Sequence, residues 1–410
     1  MKNQLFFFKR MEKMKILVQK FGGTSVKDEE SRTAAKKHVE HAVSEGYKVI
    51  VVVSAIGRKG DPYATDSLLD MVEGYHSFLD PREKDMLLSV GETISTAVFT
   101  HLLKKSGLSA VGLTGQDAGV LTSDDYGNAK VKEINTDLIN HYFKTNDVVV
   151  VAGFQGVSEN GHITTIGRGG SDTTAAFLGA AFQAARIDIF TDVSGLMTAD
   201  PRLVESAHFL DTVSYYEVSN MAHEGAKVID PRAVEIALQA GIPLRIRSTY
   251  QPVDVLGTLV THVESQIEHY RLVTGIAHVK DLIQFTLHAD NQQQEKVFSA
   301  LASAGISLDF INLFTDSAVF TVKAHHEAAA KEIFTAHQCD FDERLDCSKV
   351  AIVGAGITGV PGVMAKIVSA LNLEGIPFYQ TSDSYTTIWV LIDGKNLKKA
   401  VNTLHTVFLH

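Results

Sequence analysis

The chain has little of the chemistry that marks secreted, membrane-spanning or nucleic-acid-binding proteins. Of its 410 residues only Cys339 and Cys347 are cysteines, and they lack metal-ligand or disulfide-framework spacing, which fits a reducing, cytoplasmic compartment. Eight prolines, with charged residues at 21%, argue against a disordered or low-complexity chain, and a hydrophobic share of 45% is that of a globular one. No excess of positive charge is present. The formal net charge of −10 counts nucleic acid out as a partner, although an acidic protein can still hold a local basic cluster for a nucleotide. Long apolar runs are also missing: Leu5-Phe6-Phe7-Phe8 is far shorter than a signal-peptide core or a bilayer span, so no membrane partner is expected. Residues 1–13 read as an extension before Met14. The length suggests two or three domains.

What is there is alternation. Strands are expected at Lys15–Lys20, Val49–Ser54, Val148–Ala152, Ile187–Thr191 and Leu244–Arg247. Helical patterns lie between them, from Asp28 to about Glu45, at 66–78 and 83–105, from Asp172 to about Ala185, and at Pro231–Ala240. Continuous β-branched runs such as Val49–Val53 suit strands buried on both faces of a parallel sheet. Ligands in such sheets bind beyond the carboxyl ends of the strands, where this chain puts its glycine loops.

The loop Ile166-Gly167-Arg168-Gly169-Gly170-Ser171-Asp172 carries the most information, because an arginine, three glycines and an aspartate stand where a strand turns into a helix. Small residues let backbone N–H groups approach an anion, Arg168 can grip a carboxylate with both arms of its fork, and Asp172 can orient a lysine. A second glycine turn, Phe21-Gly22-Gly23-Thr24-Ser25, follows Lys20 and has phosphate-loop character.

The C-terminal part repeats itself. Val297-Phe298-Ser299-Ala300-Leu301 with Gly305-Ile306 matches Ile367-Val368-Ser369-Ala370-Leu371 with Gly375-Ile376 at a constant offset, and Ala318–Val322 maps onto Ile388–Ile392 in the same way. Two copies of a small βαββ module follow. Gly354-Ala355-Gly356-Ile357-Thr358-Gly359 imitates a dinucleotide fingerprint, but too little chain follows it for a doubly wound cofactor domain, so the nicotinamide reading is rejected.

Lys20-Phe21-Gly22-Gly23-Thr24-Ser25, Val53-Ser54-Ala55, Gly91-Glu92, Gly167 to Asp172, Thr191-Asp192-Val193 and Thr198-Ala199-Asp200-Pro201-Arg202, in this order, resemble the aspartokinases of the amino acid kinase superfamily. The two repeats resemble tandem ACT domains. The length and the Gly57 to Asp66 loop are most similar to the diaminopimelate-sensitive isozyme. The resemblance implies an α/β fold. In it, a three-layer αβα sandwich with a mainly parallel sheet spans residues 14–265, and ferredoxin-like βαββαβ ACT domains follow at 266–345 and 346–410. Strands near 271–279 are candidates for exchange between the two.

It also implies transfer of a phosphoryl group from ATP, with Mg2+ held by phosphate oxygens and water, to the β-carboxylate of L-aspartate. Lys20 and Asp172 would be catalytic. Arg168 would take the α-carboxylate and Glu92 the amino group, with Ser25, Thr65, Gly169, Gly170 and Ser171 as further aspartate contacts. ATP would meet Lys20, Phe21, Gly22, Gly23, Ser54, Thr191, Asp192, Met197, Thr198, Ala199, Asp200, Pro201, Arg202 and Lys227. An amino acid effector, meso-diaminopimelate before lysine or threonine, would bind near Asn312, Gly356, Val360, Pro361 and Gly362 in a homodimer joined through ACT domains. In the first repeat, Asp290 to Gln294 lacks the proline-glycine loop that Val360-Pro361-Gly362 keeps in the second. A kinase for another carboxylate, such as glutamate, and an inactive amino acid sensor are the competing readings.

Overall fold

The computed structural model describes residues 14–74, 77–226, 228–262, 271–355, 357 and 360–409. The extension 1–13, Lys227 and Gly356 lie outside them. In chain order the first elements are β1 (Ile16–Phe21), α1 (Glu29–Ser44), β2 (Lys48–Val53), α2 (Thr65–Asp70), α3 (Pro81–Leu88), α4 (Val90–Lys105) and β3 (Ala110–Leu113). Next come β4 (Val120–Thr122), β5 (Val131–Ile134), α5 (Asp137–Tyr142), β6 (Val148–Ala152), β7 (Gln155–Ser158), β8 (Ile163–Thr165), α6 (Gly170–Ala181) and β9 (Arg186–Thr191). Then follow β10 (Thr212–Ser214), α7 (Tyr215–His223), α8 (Pro231–Ala240), β11 (Leu244–Ser248) and β12 (Thr258–Thr261). The last are β13 (Gly275–His288), α9 (Asn291–Ser303), β14 (Asp309–Leu313), β15 (Ser317–Lys323), α10 (Glu327–Ala336), β16 (Asp340–Val353), α11 (Val363–Leu373), β17 (Phe378–Asp383), β18 (Thr387–Asp393) and α12 (Leu397–Leu409).

These elements form two compact units that are not contiguous in sequence. One comprises Met1–Leu196 with Val228–His262, and the other Met197–Lys227 with Val263–His410. The expected boundary at 265 therefore misses the segment 197–227, which belongs with the C-terminal part.

In the first unit the sheet runs β12-β11-β9-β1-β2-β6-β3, parallel except for β12 against β11. Alternation sends Leu17, Phe21, Val49, Val51, Val53, Val148 and Val150 to one face, where they pack with Phe99 and Leu103 of α4 and Ala35 and Val39 of α1. Helix α6 packs against β1, β2 and β9. A smaller sheet, β5-β4-β7-β8, ends at the arginine loop.

The helical expectation for 66–78 stops at Asp70, because Glu73 and Gly74 both take positive φ. The expected helix 83–105 is two helices parted at Ser89. Its carbonyl accepts from Gln155 Nε2 at 2.7 Å as well as from the Thr93 N–H at 3.3 Å, so the helical ladder runs on through the break. The run 81–105 is long and apolar enough for a bilayer span by composition, yet it carries the buried carboxyls Asp85 and Glu92 and packs on β3, β6 and β8.

The second unit holds one sheet, β14-β15-β13-β16-β18-β17. The central strands serve two masters. Residues 282–288 of β13 lie between β15 and 340–347 of β16, whereas 347–353 of β16 lie between β18 and 275–279 of β13. Each half-sheet thus has the strand order of a ferredoxin-like module, and residues 275–279, from the first repeat, close the second. The cores confirm the division: Ile283, Phe285 and Leu287 pack with Val297, Phe320 and Phe334, while Val273 and Ile276 pack with Val350, Ile367 and Val390. At the joint, Lys349 is 5% exposed between Glu224 Oε2 at 2.8 Å and Asp309 Oδ2 at 2.5 Å. Burial works against its charge, but Glu224 and Asp309 outweigh that and raise its pKa.

Candidate active site

Four carboxyl-end loops of the first unit carry the charged groups. At the end of β1, Lys20 Nζ lies 2.7 Å from Asp172 Oδ1, with both side chains 12% exposed. The second Asp172 oxygen accepts the Asp230 N–H at 3.2 Å, so one carboxylate holds the lysine and is itself held by the start of α8. Phe21 follows Lys20 but stacks on Phe190 at 4.6 Å inside the core, so only its backbone faces the loop. Gly22 and Gly23 open the turn. Ser25 is fully buried and shares a 2.6 Å hydrogen bond with Thr249, and Ser54 donates its N–H to the Phe21 carbonyl at 3.1 Å.

Helix α4 brings Glu92 to the same end of the sheet. Gly91 allows this, since a Cβ there would stand 2.8 Å from both Ala55 Cβ and the Tyr63 carbonyl. Glu92 is 3% exposed and its Oε1 accepts the Ala55 N–H at 3.0 Å, whereas Oε2 has no hydrogen-bond partner among the described residues. Burial pushes its pKa up to about 8, with the Ala55 N–H pulling weakly the other way. A buried carboxyl with one orphaned oxygen is a receptor for a cation. Thr65 opens α2 near by, half-buried.

The arginine loop is clamped at both ends. Asp85, 1% exposed on α3, accepts Thr165 N–H and Thr165 Oγ1 at 2.7 Å and Gly127 N–H at 2.9 Å, and burial raises its pKa against those bonds. Gly169 has φ +73, and a Cβ there would collide with the Asp230 carboxylate. Gly170 and Ser171, both buried, begin α6 with their N–H groups free of a side-chain cap. Arg168 is exposed, and its guanidinium has no ion-pair partner among the described residues.

Thr191 Oγ1 donates to Asp192 Oδ1 at 3.1 Å, and Asp192 pairs with Arg58 Nη2 at 2.8 Å. In the second unit, Thr198 is buried and bonded to His405 Nε2 at 2.9 Å, Ala199 packs in the core beside Val273, and Asp200 pairs with the exposed Arg202 at 2.8 Å, with Met197 and Pro201 at the loop's flanks. Arg202 holds the Asp200 carboxyl below its ordinary range.

Of the effector candidates, Asn312 Oδ1 accepts from Gln380 Nε2 of the other repeat at 2.5 Å. Gly362 caps α11 with φ +91, beside the exposed Val360 and Pro361. Where the first repeat lacks proline and glycine, Asp290 caps α9 through a reciprocal box with Gln293. Asp85, Asp230 and Arg232 were not legible as site residues. The dipeptide Asp230-Pro231 signals only a helix start.

The sequence matches the amino acid kinase family over residues 15–248 and the ACT domain over residues 343–406. It is 55% identical over 402 residues to Aspartokinase 1 of Bacillus subtilis (strain 168), covering 96% of this chain and 99% of that protein. The structure is similar to that of E. coli aspartokinase III in complex with aspartate and ADP in its R-state, with a TM-score of 0.79 at 25% identity over 97% of this chain and 100% of that one. The T-state of the same enzyme, in complex with lysine and aspartate, gives a TM-score of 0.74 at 25% identity over 96% and 100% of the two chains.

Proposed function

This chain belongs to the aspartokinases of the amino acid kinase family, and we propose that Lys20, Asp172, Arg168 and Glu92 carry its ATP-dependent phosphorylation of the β-carboxylate of L-aspartate to 4-phospho-L-aspartate. The Lys20–Asp172 ion pair at the carboxyl end of β1 is the observation that carries the reading. A β-carboxylate is ionised at neutral pH and needs no general base, so catalysis reduces to alignment and charge neutralisation. Lys20, oriented by Asp172, meets the phosphoryl group in transit, with the Gly22 and Gly23 N–H groups beside it. Arg168 takes the α-carboxylate and the orphaned Glu92 oxygen the ammonium, so opposite charges meet both ends of the amino acid. Ser25, Thr65 and the Gly169 to Ser171 backbone complete the aspartate contacts. Ser54, Thr191, Asp192, the Met197 to Arg202 loop and Lys227 serve ATP, and Mg2+, held by phosphate oxygens and water, would supply charge neutralisation.

ADP release measured with ATP, Mg2+ and L-aspartate, then with L-glutamate and N-acetylglutamate, tests this reading. Turnover with aspartate alone supports it. Equal turnover with glutamate removes the choice of aspartate, and equal turnover with N-acetylglutamate, which has no ammonium, removes the Glu92 assignment.

Regulation belongs to the ACT pair, in a cytoplasmic homodimer that shields exposed Ile311 and Leu313 of the edge strand β14 and Phe314 just beyond it. Among effectors we place meso-diaminopimelate first, on the likeness of the Gly57 to Asp66 loop. Lysine and threonine stand behind it. The expected result is that one of the three lowers turnover and that Asn312→Ala raises its half-inhibitory concentration at least about tenfold, a loss of ~1.4 kcal/mol. Inhibition unchanged by Asn312→Ala takes the effector away from β14.

A further inference from the structure

We infer that Arg232 is a positioning residue for the phosphoryl transfer, acting through the backbone of the Arg168 loop rather than on substrate. The inference rests on the reading of Arg168 given above and extends it to a residue outside every motif of the site. Arg232 is the second residue of α8, where an arginine beside an aspartate N-cap ordinarily makes a local pair. That pair exists: its Nε donates to Asp230 Oδ1 at 3.1 Å. The rest of the fork reaches across to the other loop. Nη1 donates to the Ile166 carbonyl at 3.1 Å, and Nη2 donates to the Arg168 carbonyl.

These two carbonyls flank Gly167, whose φ is +81, so they bracket the most deformable point of the loop. Helix α6 has no side-chain cap to fix its first turn. The Arg168 side chain is exposed, and its direction is therefore set by its own backbone, which Arg232 grips from one side while Asp85 anchors Thr165 from the other. A planar five-donor fork suits this task, because it holds two carbonyls and a carboxylate in one fixed geometry.

The same short segment also reaches the catalytic pair. The Asp230 N–H donates to the Asp172 oxygen opposite the one that binds Lys20, and the Asp230 carboxylate fills the space that only a glycine at 169 leaves open. Asp230-Pro231-Arg232 thus spans both halves of the chemistry: Asp230 braces the lysine pair, and Arg232 aims the carboxylate receptor.

The test is a double-mutant cycle in the full chain, with Arg232→Ala, Arg168→Ala and the two combined, measuring kcat and the KM for aspartate and for ATP. Arg232→Ala should raise the aspartate KM about tenfold while leaving the ATP KM within about twofold, and the double variant should match Arg168→Ala within about twofold, because a residue acting through Arg168 has nothing left to position. Arg232→Lys, which keeps the charge and a donor, should fall between wild type and Arg232→Ala. Multiplying effects in the double variant, or equal losses for both substrates, overturn the inference. An Arg168→Ala enzyme with an unchanged aspartate KM overturns instead the reading on which it rests. Should Arg232→Ala fail to fold, Arg232→Lys in the same cycle with Arg168→Ala decides between the outcomes.

Discussion

Lys20→Ala should lower kcat by roughly 10³-fold while the protein stays folded, the largest single loss expected from any site residue. Its ammonium is the cation fixed at the carboxyl end of β1, held 2.7 Å from Asp172. Without it the negative charge that spreads over the migrating phosphoryl group loses the one cation that Asp172 aims at it. The fold should survive because Asp172 keeps the Asp230 N–H and retains 12% exposure, so the carboxylate left behind is not wholly stranded. Asp172→Asn should cost less, about 10- to 10²-fold, and the combined variant should be no slower than Lys20→Ala, since the aspartate works through the lysine. Steady-state ADP release beside a circular-dichroism melt checks all three. A Lys20→Ala enzyme retaining more than about a tenth of wild-type activity removes Lys20 from the mechanism.

Glu92→Gln should make the protein more stable and nearly inactive at once. Burial holds the Glu92 proton on to about pH 8, while in the unfolded chain it leaves near the ordinary value of 4.5. From pH 4.5 upward the unfolded state therefore binds fewer protons than the folded one, and stability falls with rising pH until the folded pKa is passed. At pH 7 the handicap is on the order of 3 kcal/mol, and glutamine, which never ionises, does not carry it. Thermal melts should show the wild type losing more stability than the variant between pH 5 and 8; parallel curves would place the Glu92 pKa near its ordinary value. Substrate pulls in the opposite sense. The aspartate ammonium stabilises the ionised carboxylate, so the aspartate KM of the wild type should drop as pH approaches 8, and Glu92→Gln should show neither that trend nor useful affinity.

Much of this was readable from residue order. Continuous valine runs located β2 and β6, alternation of strand and helix gave the parallel sheet, and Lys20 before its glycine turn and Arg168 between glycines drew attention to the two loops that carry the candidate site. The supports were not readable, because they are made by contacts distant in sequence. Asp85 reaches Gly127 and Thr165 across 42 and 80 positions, and Arg232 reaches back 64 and 66 positions to Arg168 and Ile166. Nothing local distinguishes these side chains from a helix-surface acid and a helix-start arginine. The contact of Gln155 with the Ser89 carbonyl, 66 positions apart, was hidden for the same reason. The detour of 197–227 into the second unit also left no compositional trace.

The crossed allegiance of β13 and β16 sets the terms for anyone who would transplant effector specificity between relatives. A chimera cut at 346, where the repeats divide by sequence, would separate 275–279 from the half-sheet it closes, although 340–346 would stay with the first repeat, where it pairs. The transferable cassette for the second repeat is split: 273–279 must travel with 347–409, while 282–288 and 340–346 stay behind with the first. A graft that ignores this leaves Val273 and Ile276 out of the second core and opens the edge of 347–353 that 275–279 covers.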